Sequence, residues 1–342
     1  MALSAEHEVG PTDLGFSNGL LLQIVDALRE TTPGALLAVT SRHPDVRENL
    51  ERWARFTGNT LIEATEHDGG TRWVIRNGPA PIHDAPPIGS RMWVYSNFDC
   101  NLACQYCCVR SSPKAERRTL PLAVASLLAL QAVDVGVQEV FITGGEPFLR
   151  EDIAAFVSTF SEVAKTAVLT NGALFSGRRR VALEQLSRAR VALQISLDSA
   201  QPARHDLMRG AGTWAKAWDG IRTARALGFR VRIAATVTSA NEEAELSSYF
   251  DDEKVATEDR VIRRVALRGF ADAGVALARS DLYPELTVTA KGVYFHPVGA
   301  DDDDFLIVRE ILPLAAAVLA LKEAYERERA HADSLAAVFH CA

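Results

Sequence analysis

Four of the chain's five cysteines fall within nine residues, CNLACQYCC, at Cys100, Cys104, Cys107 and Cys108. The first three are spaced C-x3-C-x2-C and follow the apolar run MWVYSN. Three thiolates on one short loop can each bind one iron of a cubane cluster and leave the fourth iron without a protein ligand. Such an open iron is what a catalyst needs if a small molecule must coordinate it. A structural zinc site is the alternative, and it needs a fourth donor. Cys108 adjoins Cys107, and neighbouring side chains rarely converge on one ion. The fifth cysteine, Cys341, is next to last in the sequence. Clustering of this kind points to metal or redox chemistry in a reducing compartment rather than to a disulfide framework.

The elements that must position this loop alternate from residue 91 onward. Apolar strands (MWVYSN, EVFITG, TAVLTN, VALQISLD, RVRIAATV, VIRRVALRG) are separated by helical stretches such as PLAVASLLALQAVDVG and TWAKAWDGIRTARALG. Repeated strand–helix units predict a parallel sheet curled into a barrel. About six units are visible, so the predicted fold is α/β, a partial (β/α)6 TIM-like barrel rather than the full eight-unit form. Residues 16–78 read differently, as helix, strand, helix and hairpin, which predicts a small N-terminal α+β two-layer domain. Residues 1–15 read as a loose tail, and the proline-rich residues 79–90 as a linker. The barrel core is expected over 91–270. Residues 271–342 form a C-terminal extension, a hairpin in LTVTAKGVYFHP followed by a long helix.

Composition narrows the class. A net charge of −7 argues against a broadly basic nucleic-acid binder. The start MALSAEHEVG has no secretory pattern, and Asp134 interrupts the longest apolar run. The expectation is a cytoplasmic protein with no membrane and no nucleic-acid partner.

CNLACQYC, then ITGGEP at 142–147, LTNG at 169–172 and ISLDS at 195–199, all in order at predicted strand ends, resemble the radical S-adenosylmethionine (SAM) superfamily over roughly residues 91–270. The resemblance implies that Cys100, Cys104 and Cys107 ligate one [4Fe–4S] cluster whose fourth iron is chelated by SAM. It implies that Tyr106 lies near the adenine, or else packs on the loop. Gly144, Gly145 and Glu146 would meet the SAM amino group, glycine letting backbone approach closely and the carboxylate accepting from an ammonium. Ser196 and Asp198 would face the same rim, with helix capping as the rival role. Arg209 would pair with the SAM carboxylate, an exposed surface arginine being the alternative. Asn171 and Asn241 are weaker candidates that also suit turns or caps. The implied chemistry is reductive cleavage of SAM, and hydrogen abstraction from substrate by the resulting radical. The implied partners are an electron donor such as flavodoxin or ferredoxin, and a peptide or small-molecule substrate.

The stretch from ISLDS through TVTSAN resembles peptide-modifying members with a SPASM or twitch extension, but the cysteines of that extension are missing. One cubane is therefore all this chain can build. His296 and Cys341 are possible substrate-side residues, the first more simply structural and the second on a terminal tail. Residues 16–78 resemble the TusA-type sulfur-carrier domain, through ALRETTPGALLAV, DVRENLERWARFTGN and LIEATEHDGGTRWVIRNG. The family's persulfide cysteine would fall in Ser17-Asn18-Gly19-Leu20, and no cysteine precedes Cys100. The leading expectation is a radical SAM enzyme acting on a peptide or amino-acid-like substrate. The alternatives are a small-molecule enzyme of cofactor or natural-product synthesis, possibly sulfur-inserting, and a non-catalytic iron–sulfur scaffold.

Overall fold

The computed structural model describes residues 5–16, 19–32, 34–56, 59–67, 70–78 and 86–338. The chain divides into two compact units, Met1–Ala85 and Pro86–Ala342.

The first unit contains β1 (His7–Thr12), α1 (Leu20–Glu30), β2 (Leu36–Ser41), α2 (Val46–Phe56), β3 (Thr60–His67) and β4 (Gly70–Arg76). Its sheet order is β1-β2-β4-β3, with β1 parallel to β2 and the other pairs antiparallel. Leu20, Ile24 and Leu28 repeat at helical spacing on α1, and they pack with Val46 and Leu50 of α2 against Leu37, Val39, Trp73 and Ile75 of the sheet. One helical layer on one sheet layer is the predicted two-layer form. The loose tail expected over 1–15 is corrected within the described residues: residues 7–12 are β1, held by pairing of His7–Val9 with Leu37–Val39. Its side chains alternate too weakly for an apolar-pattern reading, because β1 is an edge strand. The linker reading falls mainly on residues 79–85, outside the described residues, as do Ser17 and Asn18.

The second unit runs β5 (Arg91–Tyr95), α3 (Leu122–Asp134), β6 (Glu139–Thr143), α4 (Ile153–Ser161), β7 (Lys165–Thr170), α5 (Gly177–Gln185), β8 (Val191–Ser196), α6 (Pro202–Arg209), α7 (Thr213–Ala226), β9 (Arg230–Val237), α8 (Ala240–Asp252), β10 (Arg260–Arg264), β11 (Leu286–Thr289), β12 (Gly292–Tyr294), β13 (Leu306–Val308) and α9 (Leu314–Val338). The sheet order is β10-β9-β8-β7-β6-β5-β11-β12-β13. β5 to β10 are parallel neighbours in sequence order, the arrangement of a partial (β/α)6 barrel. β11 adds a parallel strand beside β5, and β12 and β13 continue antiparallel, so β10 and β13 remain edges.

The period of two in each strand separates two surfaces. In β9, Val231, Ile233, Ala235 and Val237 are buried, while Arg232 and Thr236 line an interior cavity. In β5, Met92 and Val94 belong to the main core with α3 and α4, while Trp93 and Tyr95 line the cavity. The parallel strands thus hold their apolar face under the helices and turn a mixed polar face inward. Every βα loop leaves the C-terminal strand ends, which in closed barrels carry the chemistry.

α7 presses on one of these loops. A Cβ at Gly220 would lie 2.4 Å from the Gly172 carbonyl oxygen. Helix propensity alone favours alanine by about 1 kcal/mol, but overpacking costs about 1–3 kcal/mol. Gly220→Ala is therefore expected to lower the urea midpoint, and an unchanged or raised midpoint would contradict this close approach.

Candidate active site

The cysteine loop begins where β5 ends and is pinned to the loop after β6. The Ser96 N–H donates to the Thr143 carbonyl (2.8 Å), Gly145 N–H to Asn97 O (3.0 Å) and Glu146 N–H to Asp99 O (3.0 Å). This approach requires the two glycines. A Cβ on Gly144, whose φ is +147°, would sit 2.3 Å from Asn97 O, and one on Gly145 would sit 2.1 Å from Asp99 O. The family resemblance implies a ligand against these glycines; in the fold, their close neighbour is the backbone leading into Cys100. Both also line the cavity.

Glu146 is wholly buried. Its carboxylate accepts from the Phe148 N–H (3.0 Å), the Thr170 hydroxyl (2.8 Å) and the Asn171 N–H (2.9 Å). Burial pushes its pKa up against these donors. The side chain therefore ties the end of β6 to the end of β7, and it meets the protein rather than the cavity. Asn97, which sequence reasoning missed, completes the clamp: its amide donates to Asp99 O (2.9 Å) and to Glu146 O (3.1 Å). Its position in SNFDC, immediately ahead of the cysteines, was the available signal.

Cys100, Cys104 and Cys107 all line the same cavity, whose volume is about 1180 Å³. Leu102 N–H points at the Cys100 sulfur (3.4 Å) and Ser111 N–H at the Cys107 sulfur (3.3 Å), donors suited to thiolates. Burial pushes the Cys100 thiol up to about 12, with Glu146 adding to the effect, and burial also raises Cys104. Thiols in such a place ionise when a metal supplies the compensating charge. Among the described residues no three His, Cys, Asp or Glu side chains converge on a point that could hold a single metal ion. Cys108 also lines the cavity, and its thiol is pushed up to about 12 by burial and the neighbouring Cys107.

Tyr106 and Arg209 converge on Asp198. The Tyr106 hydroxyl donates to one carboxylate oxygen, and Arg209 binds both, Nε–Oδ2 at 2.5 Å and Nη2–Oδ1 at 3.1 Å. The Thr236 N–H donates to the same carboxylate (3.0 Å). Burial would raise the Asp198 pKa, but Arg209 more than reverses this and holds it below its ordinary value. Arg209 is not an exposed arginine: its side chain is 11% accessible, against 4% for Asp198. Tyr106 and Arg209 line the cavity; Asp198 stands behind them. α6 carries Arg209, and the Gln105 N–H and amide bind the Met208 and Leu207 carbonyls (3.0 Å each), so α6 and the cysteine loop are positioned together.

Ser196 and Asn171 reach the cavity wall, and the Asn171 amide donates to Asn101 Oδ1 (2.8 Å). Asn241 lies within α8, whose N-cap is Ser239, accepting from Glu242 N–H (3.2 Å). His296 lines the cavity, and its Nδ1 accepts from Val298 N–H (3.2 Å), which leaves the ring proton on Nε2. Burial, helped by Arg263, pulls its pKa down to about 4. Cys341 lies outside the described residues.

Residues 94–244 match the family model described as the radical SAM superfamily, and residues 20–77 match that of the sulfurtransferase TusA. The GTP 3',8-cyclase 3 of Mycobacterium tuberculosis is 32% identical over 166 residues, 44% of this chain and 42% of that protein. The GTP 3',8-cyclase of Moorella thermoacetica is 26% identical over 203 residues, 58% of this chain and 57% of that protein. The chain thus spans about half the length of these curated relatives. Among solved structures, a histidine-tagged anSMEcpe with bound AdoMet superposes with a TM-score of 0.52 at 15% identity, covering 66% of this chain and 75% of that one, a likeness of fold. No helix among the described residues is long and apolar enough to cross a membrane.

Replacing one partner of a buried ion pair leaves an uncompensated charge and costs about 3–5 kcal/mol. Asp198→Asn is expected to destabilise the chain by that order in denaturant unfolding, and Asp198→Asn with Arg209→Met by clearly less than the sum of the single changes. A loss below about 1 kcal/mol for Asp198→Asn, the worth of an exposed pair, would contradict the described geometry.

Proposed function

We propose, from the premise that residues 94–244 are a radical SAM domain and residues 20–77 a TusA-like one, that this chain is an enzyme that cleaves SAM reductively and takes hydrogen from a small-molecule substrate. The observation that carries the reading is the placement of Cys100, Cys104 and Cys107 on one loop facing a barrel cavity, with Tyr106 and Arg209 on the same wall. The thiol set fits one [4Fe–4S] cluster with an open iron. Cys100, Cys104 and Cys107 would hold that cluster, which would supply one-electron reduction toward SAM, the cofactor rather than the protein carrying the hard chemistry.

The chain's own residues orient and shield. Asn97, Gly144, Gly145 and Glu146 fix the loop that presents the thiols. Asp198 holds the Tyr106 hydroxyl and the Arg209 guanidinium in place, so that an aromatic edge and a fixed cation face a ligand bound at the cysteines. The Arg209 guanidinium lies 5.5 Å from the Tyr106 ring centre, which keeps the two as one surface. Ser196 and Asn171 add polar contacts at neighbouring strand ends. His296, neutral near pH 7, offers a ring N–H without a competing charge.

The substrate class turns on the relatives. The curated proteins that match are named for a nucleotide cyclisation, which favours a small molecule over the peptide expected from the ISLDS-to-TVTSAN stretch. In the TusA-like unit, the absence of any cysteine before Cys100 argues against persulfide carriage, so we assign that unit a recognition role. The reductant is proposed to be a one-electron donor of the flavodoxin or ferredoxin type.

The reading is tested by composition as well as turnover. The wild-type chain reconstituted without oxygen should hold about four irons, the content of one cubane, and Cys104→Ala should fall well below that and lose SAM cleavage. Undiminished iron and cleavage in Cys104→Ala would overturn the cluster assignment, and about eight irons would show a second cluster site.

A further inference from the structure

Two loops meet at the third cysteine on the outside of the barrel. The Cys107 carbonyl accepts from Arg110 N–H (3.2 Å) on its own loop and from Phe270 N–H (3.0 Å) on the loop that follows β10. Gly269, at φ +64°, lies so close that a Cβ there would sit 2.1 Å from Cys107 O. Further along, Arg118 binds Asp301 (2.6 Å) and Arg268 binds the adjacent Asp302, so residues 107–118 and 266–275 are anchored on one acidic turn. A single main-chain hydrogen bond therefore joins Phe270 to a residue whose thiol lines the cavity.

These two loops expose apolar and basic groups together. Leu267, Phe270 and Val275 are 43%, 44% and 45% accessible, and Leu267 N–H donates to Val275 O (2.9 Å), which makes those two neighbours. Arg110, Lys114 and Arg117 are exposed and make no ion pair among the described residues. The acids nearby are largely engaged. Asp301 and Asp302 bind Arg118 and Arg268, and Glu116 lies 3.7 Å from Arg118. Asp272 is the one exposed acid on these loops without an ion pair among the described residues. In a chain of net charge −7 this face is locally positive. Exposed apolar side chains rimmed by charge are the pattern of a partner surface.

We propose that this face docks a small acidic one-electron carrier protein, with Phe270 at its centre and Arg110, Lys114 and Arg117 at its rim, beside the Cys107 end of the cluster. Charge complementarity selects the occupant, because unpaired cations around an apolar centre steer an acidic partner. Electron transfer slows steeply with distance, so a carrier serves only when docked close to a cluster ligand. The carrier loses one electron and the cluster gains it, with no bond made or broken. Redox encounters of this kind bury little area and are weak. The inference rests on the preceding reading for the presence of the cluster; docking itself is measured as binding, apart from SAM cleavage.

The test is calorimetric titration of the anaerobically reconstituted full chain, at low salt, with an acidic [2Fe–2S] ferredoxin in one arm and a flavodoxin in the other. The face predicts that at least one carrier binds, with an affinity that falls as salt rises, and the arm that binds identifies the carrier. Arg110→Glu with Lys114→Glu and Arg117→Glu should weaken that binding at least tenfold, and Phe270→Asp severalfold. Arg178→Glu with Arg222→Glu and Arg225→Glu, the same change of net charge on exposed residues of α5 and α7, should weaken it far less. Dithionite needs no docking, so the spectrum of the dithionite-reduced cluster should be the same in both triple variants as in wild type. If the first triple variant fails to fold, Lys114→Glu alone should still weaken binding. A wild-type chain that binds neither carrier at submillimolar concentration, or equal weakening by both triple variants, would overturn the proposal. So would a wild-type dimer that Phe270→Asp dissociates, since the face would then belong to a second copy. Carrier binding intact beside failed SAM cleavage would leave the docking face standing and contradict only the radical reading.

Discussion

The contact on which the site depends is one between backbones. The strand-end glycines after β6 lie so close to residues 97–99 that no side chain fits between them. Two main-chain hydrogen bonds, Gly145 N–H to Asn97 O and Glu146 N–H to Asp99 O, close that contact. A loop bearing three thiols is entropically costly to fix, and a flexible one would not present them in one arrangement. Here the loop is held from beneath by the next strand and from the side by α6, through Gln105. Glu146 belongs to the same device. Its buried carboxylate costs desolvation, offset by three donors, and it joins the ends of β6 and β7 under the cavity floor.

Behind the cavity wall the same principle recurs with charge. Asp198 is buried with Arg209, and such a pair adds little to stability against an apolar substitute. What it gives is position: Asp198 collects Tyr106, Arg209 and the Thr236 N–H, so that elements from three parts of the chain present one surface. In the barrel interior satisfaction is less complete: Arg232 Nε and Ser111 Oγ have no partner among the described residues.

Much of this was legible in the sequence, for identifiable reasons. The cysteine spacing and the ITGGEP and LTNG stretches lie at strand ends, where period-two apolar runs stop and glycine or asparagine takes over. The barrel followed from strand–helix repetition, and the two-layer N-terminal unit from its helical and alternating patterns. Strand β1 was hidden because an edge strand has no clean apolar alternation. The role of Gly144 and Gly145 was legible as close approach, but the partner was not, since only the fold brings residues 97–99 beneath them. The burial of the Glu146 carboxylate and its three donors cannot be read from its neighbours in sequence. Asp198 as an organiser of Tyr106 and Arg209 depends on which positions the fold brings together from separate strands and helices.

The central claim is that the three thiols present a catalytic open-iron cluster to SAM. The most direct measurement is 5′-deoxyadenosine formed from SAM by the anaerobically reconstituted wild-type chain with a strong reductant. The account predicts release that requires both cluster and reductant, even if slow without substrate. An intact cluster and bound SAM with no 5′-deoxyadenosine, across a panel of small-molecule substrates, would contradict it and leave a binding protein built on an enzyme's fold.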